Sequence, residues 1–393
     1  MPYPFFSRRL RLGMIGGGPG SLIGPVHRIG ARLDDRWSLE AGAFSSDAAR
    51  NAEAGRECFV APDRCYDDWR EMIRAEASRG ADRLDAISIV TPNHLHAGPA
   101  IAALEAGFHV ICDKPLAATL AEADAIAAAA RASDRLFALT HTYTGYPMVR
   151  QARRMVQEGR LGRLRIVQIQ YAQDWLSRAL EKTDNRQAGW RTDPTRSGAG
   201  GCLGDIGTHG FHLAHFVTGL RAEALLADLS AFGEGRVLDD NVHMLLRYPD
   251  GVRGMLWATQ VAPGKGNGVR IGVYGTEGGV EWFQEQPNQL RWTPTGEAAR
   301  ILERGGADDG TGRGYTTRTA PYHPEGYLEA FAQLYEDAAE LIAAREENRA
   351  PDPIAALLPG IEAGIDGMEF VAGALASHQA EAWIAREHWA IRD

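Results

Sequence analysis

Over the first 140 residues, short apolar runs alternate with helix-length segments whose apolar positions recur every three or four residues. The runs Leu10–Ile15, Leu39–Ser45, Asp85–Val90, His109–Cys112 and 136–140 read as strands, and 97–106 and 119–132 as helices. Strands that alternate with helices predict a parallel, doubly wound α/β sheet. The pattern then changes. After a helix at 147–158 and a strand at 164–173 comes a helix at 205–218. Strand then follows strand at 223–230, 242–248, 254–260, 269–274 and 279–282, with turn signals at Pro249-Asp250-Gly251 and Gly275-Thr276-Glu277-Gly278. Consecutive strands without crossover helices predict a large open, mostly antiparallel sheet, so this half is α+β. Residues 304–320 are glycine-rich and charged, which predicts a mobile surface loop. A helix follows at 325–345, and 353–386 reads as largely helical. The expected division is 1–145 and 146–393, with the C-terminal helices packing back on the first domain.

Composition narrows the class. The 393 residues are 45% hydrophobic and 24% charged, enough apolar material for two cores. A net charge of −9 argues against nucleic acid or an anionic membrane as partner. Cys58, Cys65, Cys112 and Cys202 form no CxxC pair and no metal spacing, which predicts reduced thiols and a cytoplasmic setting. No apolar run approaches the roughly 18 residues of a membrane span, and the first nine residues lack the order of a signal peptide.

The first strand runs into Gly16-Gly17-Gly18-Pro19-Gly20-Ser21. Strand, glycine turn and helix form the dinucleotide-binding arrangement, with pyrophosphate on backbone N–H groups at a helix start. Gly16, Gly18, Gly20 and Ser21 are its candidate residues, although the third glycine position holds Ser21 and the next glycine is Gly24. The second strand ends in Ser45-Ser46-Asp47 rather than in one clear acid, so Ser45 and Ser46 suit either a 2′-hydroxyl or a 2′-phosphate. Asp47 would repel a phosphate and Arg50 could clamp one; on balance the expectation is NAD, with NADP open. Thr91, Pro92, Asn93 and His96 follow the third strand, and Asp113-Lys114-Pro115 follows the fourth. Ligands of doubly wound sheets sit at these carboxyl ends. A cation at Lys114 can polarise a substrate hydroxyl; the alternative is a lysine that snorkels to solvent. His94-Leu95-His96 could imitate a metal pair, but it lacks the expected setting, so no metal is assigned.

In the second half, Gly198–His212 concentrates glycines around Asp205 and His209. If a helix begins near Asp205, the i, i+4 spacing places both on one face. An Asp can orient a His so that its other nitrogen takes a proton; equally, Asp205 could cap the helix and His209 pack behind it. Arg191, beside Trp190, and Trp175 combine bidentate donors with aromatic faces, which suits sugars.

Thr91-Pro92-Asn93-x-x-His96, Asp113-Lys114-Pro115 and Gly201-x-x-x-Asp205-x-Gly-x-His209 together resemble the Gfo/Idh/MocA oxidoreductases, in the right order along nearly the whole chain. Gly16–His27 and His141–Pro147 are most similar to the levoglucosan and scyllo-inositol dehydrogenases of that family. The resemblance implies a Rossmann-type nucleotide domain and a second domain whose open sheet mediates oligomerisation. It implies an NAD(P)-dependent dehydrogenase acting on a sugar, anhydrosugar or cyclitol. Lys114, Asp205 and His209 are then catalytic, with Asp113 where relatives commonly carry Glu. Tyr146, Trp175, Arg191 and His323 join Asp205 and His209 as substrate residues, and a tetramer or dimer is expected. Two rivals stand: a hydrolase that oxidises, eliminates and re-reduces with held NAD, and a non-catalytic nucleotide-binding regulator, which would have no use for all three catalytic residues.

Overall fold

Five short strands that are buried along most of their length need cover on both faces, and the helices between them supply it. The computed structural model describes residues 8–306 and 317–390. Of the loop expected over 304–320, residues 307–316 lie outside these. The chain divides into two compact units, Met1–Gly145 with Tyr327–Ile365, and Tyr146–Gly326 with Asp366–Asp393.

The first unit runs β1 (Leu10–Gly16), α1 (Gly24–Leu33), β2 (Trp37–Ala43), α2 (Ala48–Glu57), α3 (Trp69–Ala77), β3 (Ala86–Val90), α4 (Ala97–Glu105), β4 (His109–Cys112), α5 (Leu120–Ala132) and β5 (Phe137–Leu139). The strands form one parallel sheet in the order β2-β1-β3-β4-β5. The sequence rules at work are visible in α5. Thr119 and Glu122 form a reciprocal capping box, and Ala123, Ile126, Ala127 and Ala130 repeat at helical spacing on its buried face.

The second unit runs α6 (Pro147–Gln157), β6 (Leu164–Gln173), α7 (Arg186–Arg191), α8 (Pro194–Ser197), α9 (Thr208–Thr218), β7 (Ala224–Ser230), β8 (Asn241–Arg247), β9 (Arg253–Thr259), β10 (Asn267–Gly275), β11 (Gly278–Phe283), β12 (Gln289–Pro294) and β13 (Arg300–Glu303). The chain then contributes α10 (Tyr327–Glu346), which belongs to the first unit, and α11 (Ile361–Ala380) and β14 (Ile384–Ala385). Strand β6 and strands β7–β14 make a nine-stranded sheet in the order β13-β12-β11-β10-β6-β9-β8-β7-β14. Along β8, Val242, Met244 and Leu246 are buried while His243, Leu245 and Arg247 face outward, the period-2 pattern of a sheet covered on one side. α9 packs on β6, β9 and β10.

The sheet is mostly antiparallel, as expected, with β6 and β9 paired in parallel from Ile166↔Arg253 to Ala172↔Thr259. Residues 353–386 are largely helical, as expected, with α11 over 361–380, while Ile384–Ala385 pairs with β7 at the sheet edge. The helix expected from Asp205 begins earlier, with a wide π turn over Leu203–Gly207.

In the first unit, α10 completes the core. Phe331, Tyr335, Ala338, Ala339 and Ile342 share one helix face and pack with Leu10, Leu12, Ala31 and Trp37. Burying each large side chain contributes about 1.5–3 kcal/mol. The Trp37 indole donates to the Tyr335 carbonyl at 2.9 Å, and Arg36 pairs with Glu336 at 3.2 Å, both charges buried.

Candidate active site

In the first unit the register sets the carboxyl ends of the strands side by side: Ile15 opposite Ala43, Gly16 opposite Val90, and Ile89 opposite Cys112. Gly16, Gly18, Gly20 and Ser21 therefore stand next to Ser45 and Ser46, Thr91, Pro92 and Asn93, and Asp113 and Lys114. This edge includes the point between β1 and β3 where the strand order reverses, the usual ligand crevice of such sheets.

The glycine loop is built for close approach. Gly16 and Gly20 both have φ +82°. A Cβ on Gly16 would meet the Val90 carbonyl at 2.7 Å, and one on Gly18 the Phe44 carbonyl at 2.7 Å. The residue that lets α1 pack on the turn is Gly24, whose Cβ would strike the Gly17 backbone. It plays the part the sequence pattern sought at Ser21. The Ser21 hydroxyl instead accepts from the Gly24 N–H at 3.0 Å and caps the helix start. Arg28 donates to the Gly17 carbonyl at 2.8 Å, and Arg50 to that of Pro19. Asp47 accepts from the Arg50 N–H at 2.9 Å, capping α2. A glycine loop drawn in against two strand ends, ahead of a capped helix start, fits a dinucleotide pyrophosphate.

Behind Lys114 lies a buried polar chain. Asp113 accepts from the Lys114 N–H at 2.9 Å and the Thr140 hydroxyl at 2.8 Å, and His27 Nε2 stands 3.9 Å away. Burial alone would raise the Asp113 pKa. The nearby His27, the Lys114 charge and the Thr140 hydroxyl outweigh it and hold the carboxyl well below the usual range. His27 Nδ1 meets the Tyr335 hydroxyl at 2.8 Å and Ser88 at 3.2 Å. His27 was not singled out from the sequence; an isolated His inside a helix carries no signal of the Asp113 it faces. His96 is wholly buried, its Nε2 2.9 Å from the Thr91 carbonyl and its Nδ1 3.0 Å from that of Pro115. Burial pushes its pKa down, and the ring ties the loop after β3 to the loop after β4.

In the second unit, Asp239 caps the π turn that carries Asp205. Its two carboxylate oxygens accept from the N–H groups of Gly201 and Leu203, each at 2.7 Å, and its carbonyl accepts from Cys202. Burial raises the Asp239 pKa, and these N–H groups oppose that rise. A Cβ at Gly201 would collide with the Asp239 carbonyl, so glycine is required there by packing. Single π turns inside helices recur at functional sites.

The Asp205 carboxylate has other partners. Gln260 Nε2 donates to its Oδ2 at 2.8 Å, and Arg191 Nε lies 3.5 Å from the same oxygen. Arg191 is stacked on Trp190, 4.2 Å from the ring centroid, and also donates to Gln187. His209, four residues on in α9, is 9% exposed, with its ring 6.1 Å from that of Tyr171. A row of amides continues from Gln260. Trp175 Nε1 donates to Gln173 Oε1 at 3.1 Å, Gln173 Nε2 to Asn267 Oδ1 at 2.8 Å, and Tyr171 to the same oxygen at 2.9 Å. Asn267 reaches Gln284 at 3.4 Å, and Gln284 reaches the Tyr146 hydroxyl at 3.3 Å. Tyr146 is buried against Trp282.

Of the residues expected to meet substrate, Arg191 and Asp205 are thus in direct contact, and Trp175 and Tyr146 join them through amides. His323 belongs to a different cluster: it is exposed, and its carbonyl accepts from the buried Arg304. Gln173, Gln260, Asn267 and Gln284 were missed, because a lone amide has neither charge nor periodicity to mark it. Among the described residues no group of three or more His, Cys, Asp or Glu could hold a metal, and no helix is long and apolar enough to cross a membrane.

Comparison with known proteins shows the family. Residues 10–141 match the oxidoreductase family with an NAD-binding Rossmann fold, and residues 149–281 match the GFO/IDH/MocA C-terminal domain. The uncharacterized oxidoreductase YfiI of Bacillus subtilis is 35% identical over 96% of this chain and 97% of its own. The chain belongs to the Gfo/Idh/MocA family. It is an NAD-binding oxidoreductase. Within the family, an inositol dehydrogenase homolog from Azotobacter vinelandii, complexed with NADH and myo-inositol, is similar at 35% identity and a TM-score of 0.87, covering 96% of this chain and 98% of that one. The levoglucosan dehydrogenase of Pseudarthrobacter phenanthrenivorans is 29% identical over 81% of this chain and 82% of its own.

Proposed function

We propose that the protein is a dehydrogenase that oxidises a secondary alcohol of a cyclitol, sugar or anhydrosugar. The first unit holds the nucleotide and the second supplies the substrate residues. The observation that carries this is the capping of the π turn by Asp239, since it makes a helix-capping carboxylate at Asp205 redundant and turns Asp205 to Gln260 and Arg191. The uncharged, donor- and acceptor-rich row from Trp175 to Gln284 suits a ring dense in hydroxyls. One similar protein, an inositol dehydrogenase homolog, is complexed with myo-inositol, and another is named for levoglucosan.

Bound NAD supplies the hydride acceptor. His209 takes the hydroxyl proton, Asp205 orients the imidazole and balances its charge, and Lys114 polarises the alcohol. Asp113, held ionised, fixes the backbone from which Lys114 projects. The test is a panel of cyclitols, sugars and anhydrosugars, including myo-inositol and levoglucosan, followed by absorbance of reduced nicotinamide. Turnover on some member is expected. A released alcohol with no net NADH would replace the dehydrogenase with a redox-neutral hydrolase.

NADH should bind more tightly than NADPH in a fluorescence titration. The Arg50 guanidinium is engaged with the Pro19 carbonyl, while Asp47 places negative charge after β2. The reverse order would reassign Arg50 as a phosphate clamp.

A homo-oligomer, most simply a tetramer, is the expected solution state. The outward face of the nine-stranded sheet carries Ile166, Leu245 and Met255, all exposed, with Met255 directly opposite Leu245. Apolar faces of this kind are usually covered by a second copy. Sedimentation velocity at micromolar concentration should show no monomer; a monomer would refute it.

A further inference from the structure

We propose that Gln260 is the positioning residue for Asp205, and that the indole N–H of Trp175 sets its orientation through Gln173. This rests on the roles given above to Asp205 and His209.

The argument is one of donors and acceptors. An indole nitrogen can only donate. Gln173 must therefore turn its carbonyl oxygen to Trp175, and it does, at 3.1 Å. That choice directs the Gln173 NH₂ to Asn267 Oδ1 at 2.8 Å. The same carbonyl oxygen is 3.5 Å from Gln260 Nε2. Gln260 is 2% exposed and meets two acceptors, this carbonyl and the Asp205 carboxylate at 2.8 Å. With its amide reversed it would set oxygen against oxygen at both. The Asp205 carboxylate and the Trp175 indole, acting through Gln173, thus demand the same orientation of the Gln260 amide.

The consequence falls on the carboxylate. An ionised Asp only accepts, and Gln260 offers it a charge-assisted donor from a buried amide. Gln260 and Arg191 both address Oδ2, so they fix where Oδ1 stands. Arg191 lies on α7 and has competing partners in Trp190 and Gln187. Gln260, buried just beyond β9, is the firmer of the two holds. It touches neither substrate nor nucleotide in this scheme and acts through Asp205 alone.

The test uses the full-length enzyme with NAD and either myo-inositol or levoglucosan. Gln260→Met keeps the volume and removes the donor. It should lower kcat about tenfold or more, the scale of a hydrogen bond to a charged group, with little change in KM. Gln260→Glu should move the acidic limb of the kcat/KM profile to higher pH, because a second carboxyl faces the first. Trp175→Phe keeps an aromatic ring and deletes the donor, so it should lower kcat in the same sense. Unchanged kcat and pH profile in Gln260→Met would overturn the inference, provided that Asp205→Asn is inactive in parallel. An active Asp205→Asn instead removes the reading beneath it. If wild-type enzyme oxidises neither probe, the side-chain amide resonances of Gln260, assigned by their loss in Gln260→Met, decide the point. Their titration in acid should vanish in Asp205→Asn; amide resonances that do not respond to Asp205 overturn the proposal.

Discussion

Lys114→Ala and His209→Gln are each expected to slow turnover by about 10²-fold or more, the scale of lost acid–base assistance, while NAD still binds. Lys114 follows β4 and is followed at once by Pro115, with its backbone N–H on Asp113. Its removal takes a cation from the strand-end edge but leaves the glycine loop intact. His209 sits in the first turn of α9, packed against Tyr171. Glutamine there keeps a polar side chain of similar reach but cannot carry a proton. Asp205→Asn should be nearly as harmful, since an amide cannot balance an imidazolium. The measurement is kcat at saturating substrate per folded molecule, beside a nucleotide-binding titration. Near-normal turnover in folded His209→Gln would remove it from the mechanism and make Lys114 the base.

The second large effect is on stability. Arg304 and Glu325 pair at 3.2 Å with both side chains 2% exposed. Arg304 also donates to Asn288 at 2.9 Å and to carbonyls at Thr319, Ala320 and His323, while Glu325 accepts from the N–H groups of Arg318 and Thr319. Arg304→Ala strands a buried carboxylate, which costs about 3–5 kcal/mol. For a chain of this size that is a drop in Tm of roughly 4–6 °C by calorimetry. Adding Glu325→Gln to Arg304→Ala should recover part of it, since a neutral amide needs less compensation. A Tm within a degree or two of wild type would show that the pair contributes nothing net.

Much of this was legible in the residues. Strand β6 begins and ends where its pattern predicts, because its neighbours and its period agree. The strand ends bearing Gly16, Thr91 and Asp113 follow from the alternation of β and α alone. Other features depend on partners far along the chain. Strands β12 and β13 have few apolar positions, chiefly Leu290, Trp292 and Leu302, and exist because β11 offers an edge. The parallel pairing of β6 with β9 is a choice of neighbour that no local pattern encodes. The clearest case is the π turn. Its cap, Asp239, comes from the loop after β7, so the local sequence offered Asp205 for that task when another residue already performed it.

The return of α10 to the first unit bears on how the protein is made. While the ribosome is still translating the second unit, Trp37, Arg36 and His27 lack the Tyr335 and Glu336 that complete their surroundings. Roughly 180 further residues must emerge before that helix exists, which at 5–20 residues per second means a wait of about 10–40 s. For that interval the nascent nucleotide unit shows its unfinished flank to chaperones, and no single cut of the gene can release it as an independently folding fragment.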